Sequence, residues 1–395
     1  MMIGMAVSYA QPTYLSDFQY LTNSQSHGGG PFPVGSAFRY NTDGADTLLG
    51  VVHTNDDLSL SEFQQIDFYG PVTAVGNIIT TGSNVFFHNT VEAYSDSFHF
   101  PTSQAIERVK SVADFIFNAD SMVNRPGKAD TLIMTNLIFS TEGLSVKQWC
   151  YQIPPTSADS SQSEIYTSYH SHPAWDSEMM CDIDDFHHFD FDPPGDSNEY
   201  LLDEFLTIDS AVIYIQGGQV QISGVVNGQF TIMTDEKTEY QRYESSGVSD
   251  FCYNNIWLMD DLIYADSNPL TGEVQPQSTN GLGLFSGANI IIANTPANGA
   301  GNQYAGESIL INAALVSMTG SFNSQYWQNS TIDYWHSLFG KGDDRGRIQE
   351  TGGIGGEIQH LTTGSTDVRG SAIFYGSLAL NKQTALFRRR PGPYD

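Results

Sequence analysis

A stretch rich in histidine and acidic residues is the most chemically suggestive part of the sequence. It runs from 169 to 192 as YHSHPAWDSEMMCDIDDFHHFDFD and contains four of the ten histidines and seven acidic residues, with no lysine or arginine. Imidazole nitrogens and carboxylate oxygens are common ligands of divalent cations in proteins. The stretch therefore raises the question of whether it binds a metal ion.

Alternation in FHHFDFD, the end of this stretch, suggests how a site could form. Side chains two residues apart share a face of a strand, so His188, Asp190 and Asp192 would lie together. Carboxylates just upstream would add the oxygen ligands that calcium prefers. The candidate metal ligands are Asp182, Asp184, Asp185, His188, Asp190 and Asp192.

The alternative is a solvated strand that binds no metal ion. Its aromatic face, Phe189 and Phe191, would pack on the protein while the polar face meets water. The spacing of the acidic residues is not that of an EF-hand, which favours this alternative. The sequence indicates no required cofactor, and calcium is the one candidate.

Two acidic motifs near the N-terminus suggest glycoside chemistry. NTDGAD at 41–46 and NDD at 55–57 resemble the NTD motif and Asp pair of polygalacturonase-type β-helix hydrolases. In such enzymes one carboxyl group acts as acid and the other as base. The Gly-His-Gly motif of those hydrolases is missing here. Asp56 and Asp57 are therefore interpreted as turn residues, and no catalytic residue is assigned.

The charge balance limits the classes of partner. There are 45 acidic residues against 16 basic ones, for a net charge of −29. Such a surface repels nucleic acid, so no nucleic-acid partner is expected. Only 15% of residues are charged, and glycine is abundant at 37 residues, which is typical of extracellular β-proteins with many turns.

No stretch approaches the ~20 apolar residues of a membrane-spanning helix, so no span is predicted in this chain. The opening MMIGMAVSYAQ has the small residues of an export signal but lacks a basic start. It is interpreted as the end of an export or anchor segment, with an ordinary start as the alternative.

Short apolar strands on either side of a small polar turn recur along the chain. Both arms are nearly all apolar, which argues against hairpins and for strands covered by neighbouring rungs. Rungs recurring at roughly 20 to 30 residues are typical of solenoids. The pattern predicts a mainly β protein, a right-handed parallel β-helix, in preference to a β-sandwich. The segments are VVHTNDDLSL at 51–60, VIYIQGGQVQI at 212–222, IWLMDDLIY at 256–264, LGLFSGANIII at 282–292 and AIFYGSLAL at 372–380.

The part between the first and the later strands breaks this pattern. Ile106, Val109, Val112, Phe115 and Ile116 have helical spacing after a Thr-Ser start, which predicts an amphipathic helix packed on the solenoid. The following TLIMTNLIFSTEGLSVKQWCYQI predicts a hairpin that turns at Glu142–Gly143.

These patterns divide the chain into five parts. The first is an N-terminal segment that resembles the remnant of an export or anchor helix, and the last ends in a basic region. Between them lie the first rungs, the helix with its hairpin, and the acidic His/Asp-rich insertion. The predicted parts are 1–34, 35–100 for the first rungs, 101–153 for the helix and hairpin, 154–204 for the insertion, and 205–395 for the main solenoid.

The basic residues are concentrated at the C-terminus, where eight of the 16 lie between 341 and 395. The strand that begins at AIFYGSLAL is predicted to be the open last rung of the solenoid. Arg388–Arg390 would either block pairing at its edge or dock onto the acidic flank of a neighbouring subunit.

The strand segments resemble an uncharacterised family of secreted bacterial β-solenoid proteins, which often stand behind a pilin-like N-terminal helix. The resemblance implies a β-helix and a place in the cell envelope or exterior, with no established activity. The matching stretches are GVVHTNDDLSL, FYGPVT at 68–73, GQFTIMTDE at 228–236, NNIWLMDDLIYADS at 254–267, LGLFSGANIIIANTPANGA at 282–300, SILINAALVSMTGSF at 308–322 and RRRPGPYD at 388–395.

The function expected from the sequence is that of a non-enzymatic extracellular or cell-surface protein with a structural or adhesive role, for example in association with pili. Expected partners are further copies of the chain, other surface proteins, or glycans. The alternative is a β-helix carbohydrate-active enzyme, either a glycoside hydrolase or a polysaccharide lyase. The missing catalytic elements favour the non-enzymatic hypothesis.

The calcium hypothesis makes a measurable prediction about stability. If the six candidate ligands bind calcium in the folded state, millimolar Ca²⁺ should raise Tm in a thermal unfolding experiment. At ~100-fold over Kd the gain is about 2.7 kcal/mol. Replacement of His188, Asp190 and Asp192 by Ser, Asn and Asn should abolish the gain. An unchanged Tm on adding Ca²⁺ or EDTA contradicts the calcium hypothesis.

Overall fold

The computed structural model shows a mainly β protein. It describes residues 14–24, 46–61, 65–81, 84–124, 131–152, 175–176, 181–182, 194, 197–242, 248–293, 295, 297–298, 308–320, 322–324 and 372–382. Among these residues 59% lie in strands and 8% are helical. The prediction of a mainly β fold is confirmed.

Twenty-six strands occur in the described parts of the chain. They are β1 Phe18–Ser24, β2 Asp46–Leu48, β3 Val51–Thr54, β4 Leu58–Ser61, β5 Ile66–Phe68, β6 Val72–Ala74, β7 Ile78–Thr81, β8 Val85–Phe87, β9 Val91–Ala93, β10 Phe115–Asn118, β11 Thr131–Ser140, β12 Gly143–Gln152 and β13 Trp175–Asp176. The remaining ones are β14 Cys181–Asp182, β15 Tyr200–Leu206, β16 Ser210–Gln216, β17 Gln219–Val226, β18 Gln229–Thr234, β19 Lys237–Arg242, β20 Val248–Tyr253, β21 Ile256–Tyr264, β22 Gly281–Ser286, β23 Ile290–Ile292, β24 Ile309–Ser317, β25 Phe322–Ser324 and β26 Ala372–Lys382.

The described helices are short. They are α1 Ser103–Val112, α2 Ser121–Asn124 and the 3-10 turns Leu15–Asp17 and Ser197–Glu199. The predicted amphipathic helix is confirmed as α1 but is shorter than its apolar pattern suggested. Phe115 and Ile116 lie in β10, because this segment pairs in parallel with β16 instead of continuing the helix.

Most strands belong to one large, mostly parallel sheet of 17 strands. Ten of them form a row in the order β10-β16-β18-β22-β24-β26-β1-β3-β6-β9, and every neighbouring pair in it is parallel. We call this the ten-strand row. A second parallel run, β11-β17-β21-β23-β25, is extended at β11 by the antiparallel strands β12 and β15.

The register of the ten-strand row places apolar side chains directly over one another. Each of these side chains belongs to the main hydrophobic core, and each lies beside its counterpart in the next strand. Burial of such a column is the main stabilising contribution, at roughly 1.5–3 kcal/mol for each large aliphatic side chain. We call this column the core ladder. It consists of Ile213, Ile232, Leu284, Leu315, Leu378, Tyr20, Val52 and Val72.

Residues 46–93 form a short, regular repeat without insertions. Val52 pairs with Val72, and Val72 pairs with Val91, so the repeat takes 20 and then 19 residues. The strands on either side follow the same spacing, since β2 pairs with β5, β5 with β8, and β4 with β7. Side chains of β2 to β8 lie in or pack against the main core.

The strand–turn–strand segments behave largely as predicted. β16 and β17 flank Gly217–Gly218, but each pairs in parallel with a different neighbouring strand, so they do not form a hairpin. Both glycines have positive φ, and a Cβ on Gly218 would lie 2.6 Å from the carbonyl oxygen of Ile133. The predicted hairpin of β11 and β12 is confirmed as an antiparallel pair.

Two of the predicted turns are wrong. AIFYGSLAL contains no turn at Gly376, because β26 runs through it while pairing with β24. IWLMDDLIY is a single strand, β21, whose pairing with β17 shifts register between Ile222 and Gly224. In both segments the local composition predicts a turn, but pairing with a strand that is distant in sequence keeps these residues extended.

The prediction that the C-terminal strand is an open last rung is also wrong. β26 is paired on both sides, with β24 and with the N-terminal strand β1, where Leu378 lies opposite Tyr20. The N-terminal strand therefore occupies the edge that was expected to be bare. Arg388–Arg390 lie outside the described residues.

Two further apolar clusters lie outside the main core. One covers the other side of the ten-strand row, where the segment at 98–109 packs over residues such as Tyr214, Val316 and Leu21. The other cluster contains Trp257 and Tyr240, the latter from the antiparallel pair β19 and β20. Much of the sheet is therefore covered by insertions.

The core ladder gives a direct stability prediction. Leu315→Ala removes a fully buried side chain from the middle of the ladder, and we expect it to lower the free energy of unfolding by about 2–5 kcal/mol. The matched control is Leu270→Ala, at a side chain that is 85% exposed, which should change it by less than about 0.5 kcal/mol. Urea denaturation measures both, and equal effects would contradict the ladder.

Candidate functional site

The predicted metal site cannot be placed on the fold. Of its six candidate ligands, the backbone of Asp182 lies in β14, which pairs antiparallel with β13. The other five lie outside the described residues, and these are Asp184, Asp185, His188, Asp190 and Asp192. Over the part of the chain that the structure describes, no group of three or more His, Cys, Asp or Glu side chains could hold a metal ion.

Asp56 and Asp57 lie in the turn between β3 and β4, as the sequence analysis interpreted them. One carboxylate oxygen of Asp57 accepts hydrogen bonds from the backbone N–H of Asn77, at 2.6 Å, and from its side-chain amide, at 3.2 Å. Asp56 accepts the backbone N–H of Asp57 at 2.8 Å and the hydroxyl of Ser24 at 3.3 Å. The Asp57 carboxylate thus links the turns of two neighbouring repeats, and the Asp56 carboxylate links its turn to the end of β1.

The second acidic pair, Asp260 and Asp261, lies within β21 and not in a turn. Asp261 accepts the backbone N–H of Leu310 at 2.8 Å, so it joins β21 to the start of β24. Burial raises the pKa of Asp261 above its ordinary value, against the opposing effect of this hydrogen bond. The pair has a structural role different from that of Asp56 and Asp57.

Residues 108–110 form an Arg-x-Lys triplet, a motif that polygalacturonase-type hydrolases also contain. Here the triplet lies on α1. The ammonium group of Lys110 sits 5.3 Å from the centre of the Tyr214 ring. Tyr214 donates a hydrogen bond to Asp235, whose other oxygen accepts the N–H of Gly217 at 2.8 Å. These contacts attach α1 to the sheet.

Trp257 cannot stack on a ligand, because its side chain is completely buried. Its indole N–H donates to the side-chain carbonyl of Gln219 at 2.6 Å, and the amide of Gln219 donates to the hydroxyl of Tyr151 at 2.8 Å. Trp327 and Trp335, the other tryptophans considered as sugar-stacking residues, lie outside the described residues.

Asparagine side chains form a ladder at the ends of three neighbouring strands. Asn23 donates to Asn381 at 2.8 Å, and Asn55 donates to Asn23 at 3.0 Å. Asn55 also exchanges hydrogen bonds with the backbone of Phe98. An open depression of about 470 Å³ lies beside Asn23, Asn55 and residues 97–100. Since the amides bond mainly to one another and to backbone, the ladder is a structural feature of the turn.

The best candidate for a functional surface is the solvent-facing side of β2, β5 and β8. The side chains of Leu48, Phe68 and Phe87 pack in or against the main core, so the alternate residues point to solvent. We call these solvent-facing residues the outer face. Within the strands they are Thr47, Asp67 and Phe86, and directly next to the strands they are Leu49, Gln65, Tyr69, Asn84 and His88.

Several large apolar or aromatic side chains of the outer face are exposed. Leu49 is 69% exposed, Tyr69 49% and Phe86 42%. Single exposed apolar residues are common, whereas a large contiguous group of them is typical of interaction surfaces. Because the parallel register fixes the strands, the group is presented on a rigid support.

Polar contacts order the centre of the outer face. His88 Nε2 lies 2.7 Å from one carboxylate oxygen of Asp67, and Gln65 donates to the other at 2.6 Å. The rings of Tyr69 and His88 stack with centres 4.3 Å apart and planes 14° apart. The hydrogen bonds from His88 and then from Gln65 hold the pKa of Asp67 below its ordinary value.

The charge around the outer face restricts what it can bind. Residues 46–100 contain no lysine or arginine, so the face suits a neutral or cationic partner and repels anionic glycans. The acidic residues of this segment are Asp46, Asp56, Asp57, Glu62, Asp67, Glu92 and Asp96.

Sequence reasoning missed the outer face, although a signal was present. Gln65, Asp67 and Tyr69 alternate with apolar residues, and Asn84, Phe86 and His88 repeat that alternation 19 residues later. Alternation at a constant offset predicts side chains stacked on the same side of neighbouring strands.

Comparisons of the chain with protein-family models, with curated proteins and with solved structures find no match. None of the helices in the described part of the chain has the length and apolar character needed to cross a bilayer.

The lowered pKa of Asp67 predicts a specific pH dependence. Its carboxylate should titrate below the ordinary aspartate value of about 3.9, and its contribution to stability should be present above that pH and lost as the pH falls through the folded-state pKa. NMR titration of the carboxyl carbon measures the midpoint. His88→Ala should move the midpoint back up, and a midpoint at or above the ordinary value in the unmodified protein would contradict the contact.

Proposed function

We propose that the chain is a non-enzymatic structural and adhesion protein of the cell surface or exterior, built as a right-handed parallel β-helix. The observation that carries the proposal is the outer face, where Phe86 of β8 and the residues directly after β2 and β5, Leu49 and Tyr69, expose large apolar or aromatic side chains. A rigid sheet that presents such residues to solvent is suited to binding another surface.

Strand pairing supports the β-helix. In residues 46–93 the strands pair in parallel with their counterparts 19 or 20 residues later, and β2 to β8 supply side chains to the same core. A chain that coils around its core brings equivalent strands together in this way. The right hand follows from the general preference of parallel crossover connections.

The use of the acidic residues supports a non-catalytic role. Asp56 and Asp57 are the pair that resembles a glycosidase motif, and their carboxylates bond to turn groups of Asn77, Ser24 and Asp57 itself. An inverting glycosidase instead needs two carboxyl groups about 6.5–9.5 Å apart around a substrate and a water. The turn therefore accounts for both residues without catalysis.

Binding to surfaces tests the adhesive role. We expect the labelled protein to bind cells of the source organism or neutral insoluble polysaccharides, and Tyr69→Ala combined with Phe86→Ala to reduce the bound fraction several-fold, because these rings supply much of the exposed apolar area of the face. Leu270→Ala is the matched control at another exposed apolar side chain. Equal binding by the double variant and the control would contradict a role for the outer face.

An assay of hydrolysis tests the alternative of a carbohydrate-active enzyme. We expect no release of reducing ends or unsaturated products from pectins or other acidic glycans, because the Asp56 and Asp57 carboxylates are committed to the turn. Reproducible product release that is abolished by Asp57→Asn would establish the enzymatic alternative instead.

A further inference from the structure

We propose that the end of the sheet formed by β7, β8 and β9 is the interface for a second copy of the chain, joined end to end by a two-fold axis. The inference rests on the coiled arrangement proposed above but not on the adhesive role. In the described residues each of these strands has one partner, namely β4, β5 and β6 respectively. We call the three strands the terminal repeat.

Among the described residues, the core is open at the terminal repeat. One repeat earlier, the core-facing Val72 is fully buried, whereas its counterpart Val91 is 43% exposed. The same change affects the whole repeat, since Ile78, Val85, Phe87 and Ala93 are only partly buried. Exposure of side chains that face a core indicates that another layer normally covers them.

The edge of the terminal repeat is not protected against strand pairing by any of the described residues. In the described structure, Ile66 donates to the carbonyl of Asn84, and His88 donates to that of Phe68. The N–H and C=O groups of alternate residues of β8 therefore point away from β5. In the same way, alternate residues of β7 and β9 point these groups away from β4 and β6. The unpaired backbone groups belong to Ile78, Thr80, Val85, Phe87, Val91 and Ala93.

Natural edge strands usually carry lysine, proline or bulges that prevent association. β7 and β8 have the sequences IITT and VFF, with no charged residue and no proline. The only charged residue in the terminal repeat is Glu92 of β9. An apolar edge of this kind is suited to pairing and not to solvent.

A second copy of the chain is the partner that fits this edge. In the proposed coil, β7, β8 and β9 lie on three different faces. A two-fold axis through the middle of the β7 face reverses the direction of the strands and exchanges the β8 face with the β9 face. It pairs β7 with itself, and β8 of one copy with β9 of the other, all antiparallel. β8 and β9 have the same length of three residues, so neither leaves an unmatched end.

Charge also fits this arrangement. With β8 antiparallel to β9 of the second copy, Phe86 lies opposite Glu92, and His88 becomes the diagonal neighbour of Glu92 on the same side of the sheet. His88 of each copy thus faces the one carboxylate of the other terminal repeat, in addition to its own Asp67. The two copies meet without a direct pair of like charges.

Sedimentation and light scattering of the full chain test the proposal. We expect a dimer that dissociates on dilution. Val91→Lys places a charge on the open core, and Thr80→Pro removes a donor that points away from β4; each should weaken the dimer roughly tenfold or more. Leu270→Lys, at an exposed residue far from the terminal repeat in sequence, should leave it unchanged.

Hydrogen exchange tests the proposed dimer separately from the proposed coiled arrangement of the strands. Protection of the amides of Val85, Phe87, Val91 and Ala93 should rise with protein concentration, while that of Val72 should be high at every concentration. A monomer at all concentrations with Val72 protected would overturn the dimer and leave the coil. A dimer that both variants leave unchanged would overturn the terminal repeat as its interface. Loss of protection at Val72 in the unmodified chain would overturn both.

Discussion

The parallel register of the core ladder is the constraint on which the other features depend. Leu284 lies between Ile232 and Leu315 although long insertions separate the three strands in sequence. A shift of one residue in any strand would move its core side chains to the opposite face. Register is therefore held by the burial of these side chains, and the connections between strands are free to vary in length.

That freedom explains how the covering elements arise. The β19 and β20 pair is inserted between β18 and β21, and α1 lies between β9 and β10, yet the rows on either side stay continuous. Each insertion packs on the side of the sheet that faces away from the main core. The pairing of β26 with β1 has the same origin, since two strands distant in sequence share one column of apolar side chains.

Local sequence predicted what is decided locally. Two glycines marked the turn between β16 and β17, because Gly217 and Gly218 adopt positive φ in contact with a neighbouring strand. Prediction from the local sequence failed where pairing with a distant strand determines the conformation. Phe115 and Ile116 continue a helical pattern but are extended because they pair with Ile213 and Tyr214 of β16. The pairing of β26 with β1 could not be predicted, because nothing in the local sequence of β1 indicates it.

The surfaces that suggest function lie where insertions are absent. In residues 46–93 each repeat takes only 19 or 20 residues. The repeats therefore have no residues left for an inserted element that could cover the outer face or the terminal repeat. Elsewhere in the described sheet the segment at 98–109 and the β19–β20 pair bury comparable surfaces. Exposed apolar side chains such as Tyr69 and Phe86 therefore belong to the most regular part of the chain. Their exposure is therefore not a by-product of irregular loops, and this is why the proposed functions are assigned to this part of the chain.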